Sequence, residues 1–508
     1  DSLNHSAKLA LWYNNKRVHM TCEERRNAPH MNKIRFTLSP TFSAFALIGL
    51  FTFIFLGAEY LYVNMLSLTE AEDKTVVSQN YMLGISAVGF ILYPLLYGRV
   101  SRRADGIGIT LAAFIGIISL FIIQRHLSYV QTVAAGAILF LILGALGSAV
   151  HYMAVCMLEA DRSLGKTVGG AYAAGILLQF FNNNFVDIET AEAIILSLFF
   201  AVMIVLLFET RQRFGYYNVK SAGMDSSEIR YADRKKTAAL LVAVCALMAM
   251  AFSTLDNAVT LFHASGAVDI GEWPRLLLAL SGLAAGFLFD IQKRKYMSII
   301  MYCVMMLSTL CVAVLKNDGM FIVALASFYL SAGFFVVFFT VSFMELSRYM
   351  KRPALWAGMG KAVNNMSAMV MANGSVHMLL LGSTMAMIAS ALALFVAISV
   401  TTAAYTLSFI KMARQQNIIR EDSELNNSDQ LTKLPDFAES FSLTAREREV
   451  LQCLLTHDDS VQNLASRLYM SRPALYRHIA NMNEKTETKS RIGLMQFYFS
   501  WQDDKKEE

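Results

Sequence analysis

Between Pro40 and Ile410 the chain returns twelve times to the same feature, an almost uncharged apolar stretch near the length that crosses a bilayer. A helix of about 20 residues spans a hydrocarbon core of about 30 Å, and within it every backbone N–H and C=O must be satisfied internally. The stretches run 41–66, 79–97, 107–124, 130–157, 167–182, 191–208, 238–262, 274–290, 297–315, 320–344, 355–380 and 383–410. An all-α, polytopic membrane protein of twelve transmembrane helices is the expected class. Composition points the same way: 55% of the 508 residues are hydrophobic and only 16% charged, outside the range of ordinary soluble domains. Residues 1–38 show no apolar core and no small-residue cleavage site, and are expected to form a polar tail. The six cysteines (Cys22, Cys156, Cys245, Cys303, Cys311 and Cys453) have no metal-ligating spacing, and most lie in apolar runs where a thiol acts as a small hydrophobe. No metal, cofactor or enzymatic activity is expected.

The basic residues are distributed unevenly. Connections after segments 2, 4, 6, 8 and 10 carry 18 Lys and Arg, whereas the alternate connections carry only Lys74, Arg125 and Lys316. The positive-inside rule then places the even connections and both termini in the cytoplasm of an inner (cytoplasmic) membrane. The longest connection, 209–237, divides the membrane part into halves of six segments, 39–208 and 238–410. Each half repeats one signature at an equivalent place: Glu159-x-x-Arg162 followed by Gly165-Lys166, and Glu345-x-x-Arg348 followed by Gly360-Lys361. Such duplication marks a family of membrane folds built from repeats. On these features residues 38–410 resemble the major facilitator superfamily. The family's loop motif persists only in part, as Gly98 to Gly106, with Arg102 where an acid is expected. The resemblance implies a central cavity between two pseudo-symmetric halves, and a role for Glu159, Arg162, Glu345 and Arg348 as ion pairs that lock one conformer at the cytoplasmic end. Leu164-Gly165-Lys166-Thr167 looks like the end of a phosphate-binding loop, but Ala160 stands where its first glycine belongs and no strand precedes it, so it is no nucleotide site.

Two acids interrupt the apolar runs. Glu59 and Asp256 each lie about 18 residues into segments 1 and 7, where a carboxylate costs roughly 2.5–3.5 kcal/mol on insertion scales and faces a cavity or a partner. One reading leaves them wetted near the outer ends. The other makes them a cavity pair that binds a polar or cationic small molecule, or holds a proton. The candidate ligand-binding set is Glu59, Tyr60, Asp256, Asn257, His151 and Gln179. Gln179, Asn364, Asn365 and Asn373 are further buried polar candidates beside His151, and for His151 and the asparagines hydrogen bonding between helices is the stronger expectation.

The last sixty or so residues differ in kind. Residues 411–442 are polar and mixed in charge and read as a linker, whose flexible span would be ~30 Å. Over 443–502 four helices are expected. Thr444 and Glu447 form a capping box, Ser460 starts the second helix, and Ser471 with Pro473 starts the third. Leu494, Phe497, Tyr498 and Trp501 stripe the fourth. A short helix, a tight turn and a second helix with a polar outer face is the helix-turn-helix layout. Leu443-Thr444-Ala-Arg446-Glu447-Arg-Glu449-Val450-Leu451, Leu464-Ala465 to Met470-Ser471, and Ala474-Leu475-Tyr476-Arg477-His478-Ile479-Ala-Asn481-Met482 closely resemble the LuxR-type (GerE-type) helix-turn-helix family. Tyr476 stands where that family often has Lys, and Thr486 where it often has Leu. The resemblance implies a promoter-binding domain in which Ser471, Arg472, Tyr476, Arg477, His478, Asn481 and Lys485 approach phosphates or base edges, and a homodimer formed through the fourth helix. Eight basic against six acidic residues over 443–501 imply modest non-specific affinity, since phosphate neutralisation sets it. The combined expectation is a bacterial membrane-bound one-component transcriptional regulator, with a secondary transporter bearing a regulatory tail as the alternative. Residues 503–508 form a charged end.

Overall fold

The structure is a computed structural model. It describes residues 39–97, 99, 102–125, 127–158, 163–186, 188–214, 231–266, 269–314, 321–381, 384–456, 461, 464–465, 468 and 470–501. Among these residues the chain is all-helical, without a strand. The membrane part comprises α1 (Pro40–Ser67), α2 (Glu72–Leu96), α3 (Arg102–Ile123), α4 (Tyr129–Met157), α5 (Leu164–Phe185) and α6 (Glu189–Phe214). It continues with α7 (Tyr231–Ala264), α8 (Trp273–Phe289), α9 (Met297–Val314), α10 (Phe321–Ser347), the short α11 (Pro353–Ala357), α12 (Met359–Leu381) and α13 (Thr384–Thr432). The terminal part comprises α14 (Leu434–Ser440), α15 (Ala445–Thr456), α16 (Arg472–Lys485) and α17 (Arg491–Ser500).

Among the described residues, eight helices are long and apolar enough to cross a membrane: α1, α2, α3, α4, α6, α7, α10 and α13. The hydrophobic effect does little to join helices in lipid, so close backbone approach and polar contacts matter more. The α5–α8 contact shows this. Gly165 and Gly169 face Gly282 and Gly286; a Cβ on Gly169 would stand 2.5 Å from the Gly282 carbonyl oxygen, and one on Gly286 would stand 2.6 Å from that of Gly165. Only hydrogen fits there, and the two backbones meet. Side-chain amides join other helices: Asn257 donates to Ser375 Oγ (2.6 Å) and accepts from Asn80 (2.7 Å), and Asn365 donates to Ser86 Oγ (2.7 Å).

Residues 411–442 do not form the expected flexible linker. Helix α13 runs on through this polar segment to Thr432, and Lys433 alone separates it from α14. The physical reason lies in what the segment lacks: from Lys411 to Leu434 there is neither glycine nor proline, so polarity alone does not break the helix. Pro435 then sits in the first turn of α14, where its missing N–H is harmless. Leu434 and Phe437 are buried in the same small core as Val450, Leu454, Leu475 and Leu494. The terminal unit therefore begins at Leu434 rather than Leu443.

That unit is held by its caps and one aromatic cluster. The Thr444 N–H donates to Glu447 Oε2 (2.8 Å), and the Glu447 N–H donates to Thr444 Oγ1 (3.2 Å), completing the capping box. Ser471 caps α16 and Ser490 caps α17. The Phe437 ring meets Phe441, Tyr498 and Trp501 at centroid distances of 4.7, 5.0 and 5.4 Å. The apolar stripe of α17 thus packs within the chain, and the outer apolar side chains that α17 keeps are Ile492 and Phe499. Ser460, expected to start the second helix of this unit, lies outside the described residues.

Candidate functional site

A cavity of about 190 Å³ opens inside the bundle, lined from α1, α2, α4, α5, α7, α8, α10 and α12. Glu59, Tyr60, His151 and Asp256, expected from the sequence, all line it. So do Gln79, Tyr172, Arg275 and Lys361, which sequence reasoning did not assign to it. Arg275 was hidden because it lies three residues into α8, at a helix end that looked like a boundary. Lys361 was noticed only as part of a repeated dipeptide.

The cavity thus holds two acids and two bases. Gln79 Nε2 donates to Glu59 Oε1 (2.7 Å), and Lys361 Nζ lies 4.8 Å from the Phe55 ring centroid. Arg275 is 8% exposed and its Nε has no hydrogen-bond partner; Gln79 is 6% exposed and its Oε1 likewise has none. No ion pair within 4 Å joins any two of Glu59, Asp256, Arg275 and Lys361.

Asn257 and Gln179 are not cavity residues. Asn257 is taken up between Asn80 and Ser375, and Gln179 Nε2 donates to the Leu56 carbonyl oxygen (2.8 Å). Both instead hydrogen-bond between helices, Asn257 from α7 to α2 and α12 and Gln179 from α5 to α1. His151 lines the cavity, with Nδ1 2.7 Å from the Gly147 carbonyl oxygen and its ring edge-on to Phe51.

Polar locks lie at both ends of the bundle. Where α5 begins and α8 ends, Asp290 accepts from the Gly165 N–H (2.9 Å) and the Lys166 N–H (2.8 Å). A carboxylate there also meets the positive end of the α5 dipole. Arg294 bridges Asp290 (3.3 Å) to Glu345 (3.2 Å). The Glu345–Arg348 pair expected from the repeat is not formed: Glu345 is held by Arg294, and Arg348 donates to the Leu158 carbonyl oxygen (2.9 Å). Glu345, near the end of α10, reaches Arg294 in the turn after α8, while Arg348, just past α10, reaches the C-terminal end of α4. Glu159 and Arg162 lie outside the described residues. At the opposite end, Tyr60 donates to Asp269 (3.2 Å) and stacks on His263 (5.6 Å), and His263 Nε2 lies 2.9 Å from Asn64 Oδ1. Tyr60 therefore touches both the cavity and the connection between α7 and α8.

In the terminal unit α16 buries Leu475, Ile479 and Met482. Ser471, Arg472, Tyr476, Arg477 and Asn481 are exposed on its other side, and His478 is half-buried. Lys485 is committed elsewhere: its Nζ donates to Glu447 Oε2 (2.7 Å) and to the Ser442 carbonyl oxygen (2.9 Å). Burial pushes the Glu447 carboxyl up, but hydrogen bonds from Lys485 and the Thr444 backbone outweigh that and hold it below the usual carboxylate range. Lys485 thus secures the capping box, and the face left for a partner is the Ser471–Asn481 side of α16. No family model matches the chain, and no curated protein matches it.

Proposed function

We propose that this chain is a membrane-bound one-component transcriptional regulator, in which a facilitator-like bundle of twelve spans senses a small molecule and a LuxR-type terminal unit binds promoter DNA. The observation that carries this reading is the unbroken helix α13, which leaves the bundle and ends one residue before the terminal core. A ligand that prefers one conformer of the cavity shifts the population toward it. A continuous helix then turns a movement of α13 within the bundle into a movement of the terminal unit, and α17 pairs two chains on DNA.

Twelve spans and two six-helix halves account for the four long helices that are less apolar or shorter than the other eight. α5 and α12 turn polar and small residues inward, including Gln179, Lys361, Asn364 and Asn365, while α8 has 17 residues and the apolar α9 has 18. The bias of basic residues supports cytoplasmic termini, as a DNA-binding tail requires.

The test is a promoter reporter in cells carrying the full chain, with its DNA target recovered by pull-down. Arg477→Ala and Tyr476→Ala should abolish promoter binding while the protein stays in the membrane. Glu59→Gln and Asp256→Asn should abolish the response to the small molecule and leave the protein in the membrane. An unchanged dose-response in both acid variants removes them from the site. The second reading, a secondary transporter with a regulatory tail, draws on the same cavity acids; Glu59-dependent uptake into proteoliposomes establishes it over the pure sensor.

A further inference from the structure

The charge pattern of the cavity names a ligand class. Resting on the proposed sensing site, we propose that its ligand is a zwitterion, a small molecule carrying one carboxylate and one ammonium on an apolar, aromatic-compatible body, as an α-amino acid does.

Four formal charges face one cavity, two of each sign, without an ion pair among them. A buried charge without a partner is costly, and leaving one unpaired is worse than never burying it. A structural ion network would close on itself, as Asp290, Arg294 and Glu345 do at the end of the bundle. Within the cavity Glu59 is held by Gln79 and Lys361 lies over Phe55, whereas Asp256 and Arg275 meet no opposite charge among the described residues, so their partners come from the ligand. A ligand with only an ammonium would satisfy Asp256 and leave Arg275 stranded, with its buried Nε still unpartnered. A ligand with only a carboxylate would satisfy Arg275 and leave Asp256 without a cation.

The two charges that would hold the ligand share one neighbourhood. Arg275 and Asp256 line the same cavity, together with Tyr172, Thr260 and Tyr329. Arg275 presents a planar fork suited to a carboxylate, and Asp256 is an acceptor-only carboxylate suited to an ammonium. Phe51, Phe55, Phe252, Phe328 and Phe335 supply the apolar wall. Glu59, braced by Gln79, and Lys361 then balance the field around the bound molecule.

The experiment uses the full chain in detergent micelles, with binding read by calorimetry. The probes are the proteinogenic amino acids, together with phenethylamine and 3-phenylpropionate as the singly charged counterparts of phenylalanine. At least one amino acid should bind, and its own amine and acid counterparts should bind at least about tenfold more weakly, because each strands one buried charge. Arg275→Gln should bring the amino acid down to the level of its amine, and Asp256→Asn to the level of its acid. Correct folding of each variant is checked by its retained thermal midpoint. Binding of no amino acid to the folded wild-type chain overturns the proposal, as does an amine or acid that binds as tightly as the zwitterion. The two readings fail separately. An amino acid that binds without changing promoter activity ends the sensor reading and keeps the zwitterion site. Promoter activity that answers only to singly charged molecules keeps the sensor and ends the zwitterion site.

Discussion

Asp290, Arg294 and Glu345 at one end of the bundle, and Glu59, Asp256, Arg275 and Lys361 around its cavity, are the same kinds of side chain. They are treated in opposite ways. At the end, each charge meets its opposite within 3.3 Å, and the acid also caps α5. In the middle, the charges share a cavity and do not pair. The end group satisfies itself and holds α5, α8 and α10 together. In the middle group Glu59 accepts from Gln79 and Lys361 lies over the Phe55 ring, while Asp256 and Arg275 meet no opposite charge within ion-pair distance among the described residues. Which charges are structural and which are functional follows from where their partners are, not from their type or depth.

The largest effect expected from this contrast is at Arg294. Arg294→Ala takes the cation from Glu345 and leaves Asp290 with only the Gly165 and Lys166 N–H groups, and removing one partner of a buried pair costs about 3–5 kcal/mol. We expect a large fall in the unfolding midpoint in detergent micelles and little protein in the membrane. A midpoint within a degree or two of wild type would mean that the end group is no more structural than the cavity. Gly169→Leu should approach the same severity, since no side chain fits between α5 and α8 where a Cβ already meets backbone at 2.5 Å.

The two groups were not equally legible in the sequence. Apolar length announced the all-helical membrane character, and eight of the described helices are long and apolar enough to cross a membrane, because hydropathy can be read from local composition alone. Glu59 and Asp256 were legible because a carboxylate inside an apolar run stands out. Arg275 and Lys361 were not, since each lies three residues into its helix, where a basic residue reads as a boundary. Asp290 and Arg294 sit in a polar connection, and their pairing with Glu345 is a matter of three-dimensional approach that spacing does not encode. The repeat Glu345-x-x-Arg348 suggested a pair at one helical turn, but each side chain found a better partner on a neighbouring helix. In the tail, caps and apolar periodicity gave the helices directly. The mistaken linker came from equating polarity with disorder in a segment that has no helix breaker.

The terminal unit contains a smaller version of the end group, in Glu447 and Lys485. Lys485→Met removes the partner of a carboxylate whose residue is 3% exposed, and an unsatisfied buried acceptor costs about 1–3 kcal/mol. The loss should be seen in the terminal unit, as earlier proteolysis of α15–α17, with the bundle intact. The pH dependence has a definite sign. The folded-state value of Glu447 is depressed, so its contribution is full above the unfolded carboxylate value and is lost as pH falls through the folded one. Acidification should therefore loosen wild type more than Lys485→Met, and equal acid sensitivity in the two would deny the pair its role.

The smallest effects on stability are expected in the cavity, and they sharpen the comparison most. Asp256→Asn, Arg275→Gln and Lys361→Met each remove a charge that is in no ion pair among the described residues, so no salt bridge is broken; Lys361→Met gives up only the approach to the Phe55 ring. Replacing such a charge by a neutral group of similar volume is neutral or mildly stabilising, and each midpoint should move by less than about 1 kcal/mol equivalent. Arg275→Gln is the most informative, because its Nε is already unpartnered in wild type. If its midpoint falls as far as that of Arg294→Ala, the cavity charges hold the bundle together through one another across the space, and the division between a self-satisfied end and an open middle is wrong. If it holds or rises while binding is lost, the bundle keeps Arg275 for what it binds, at some expense to its own stability.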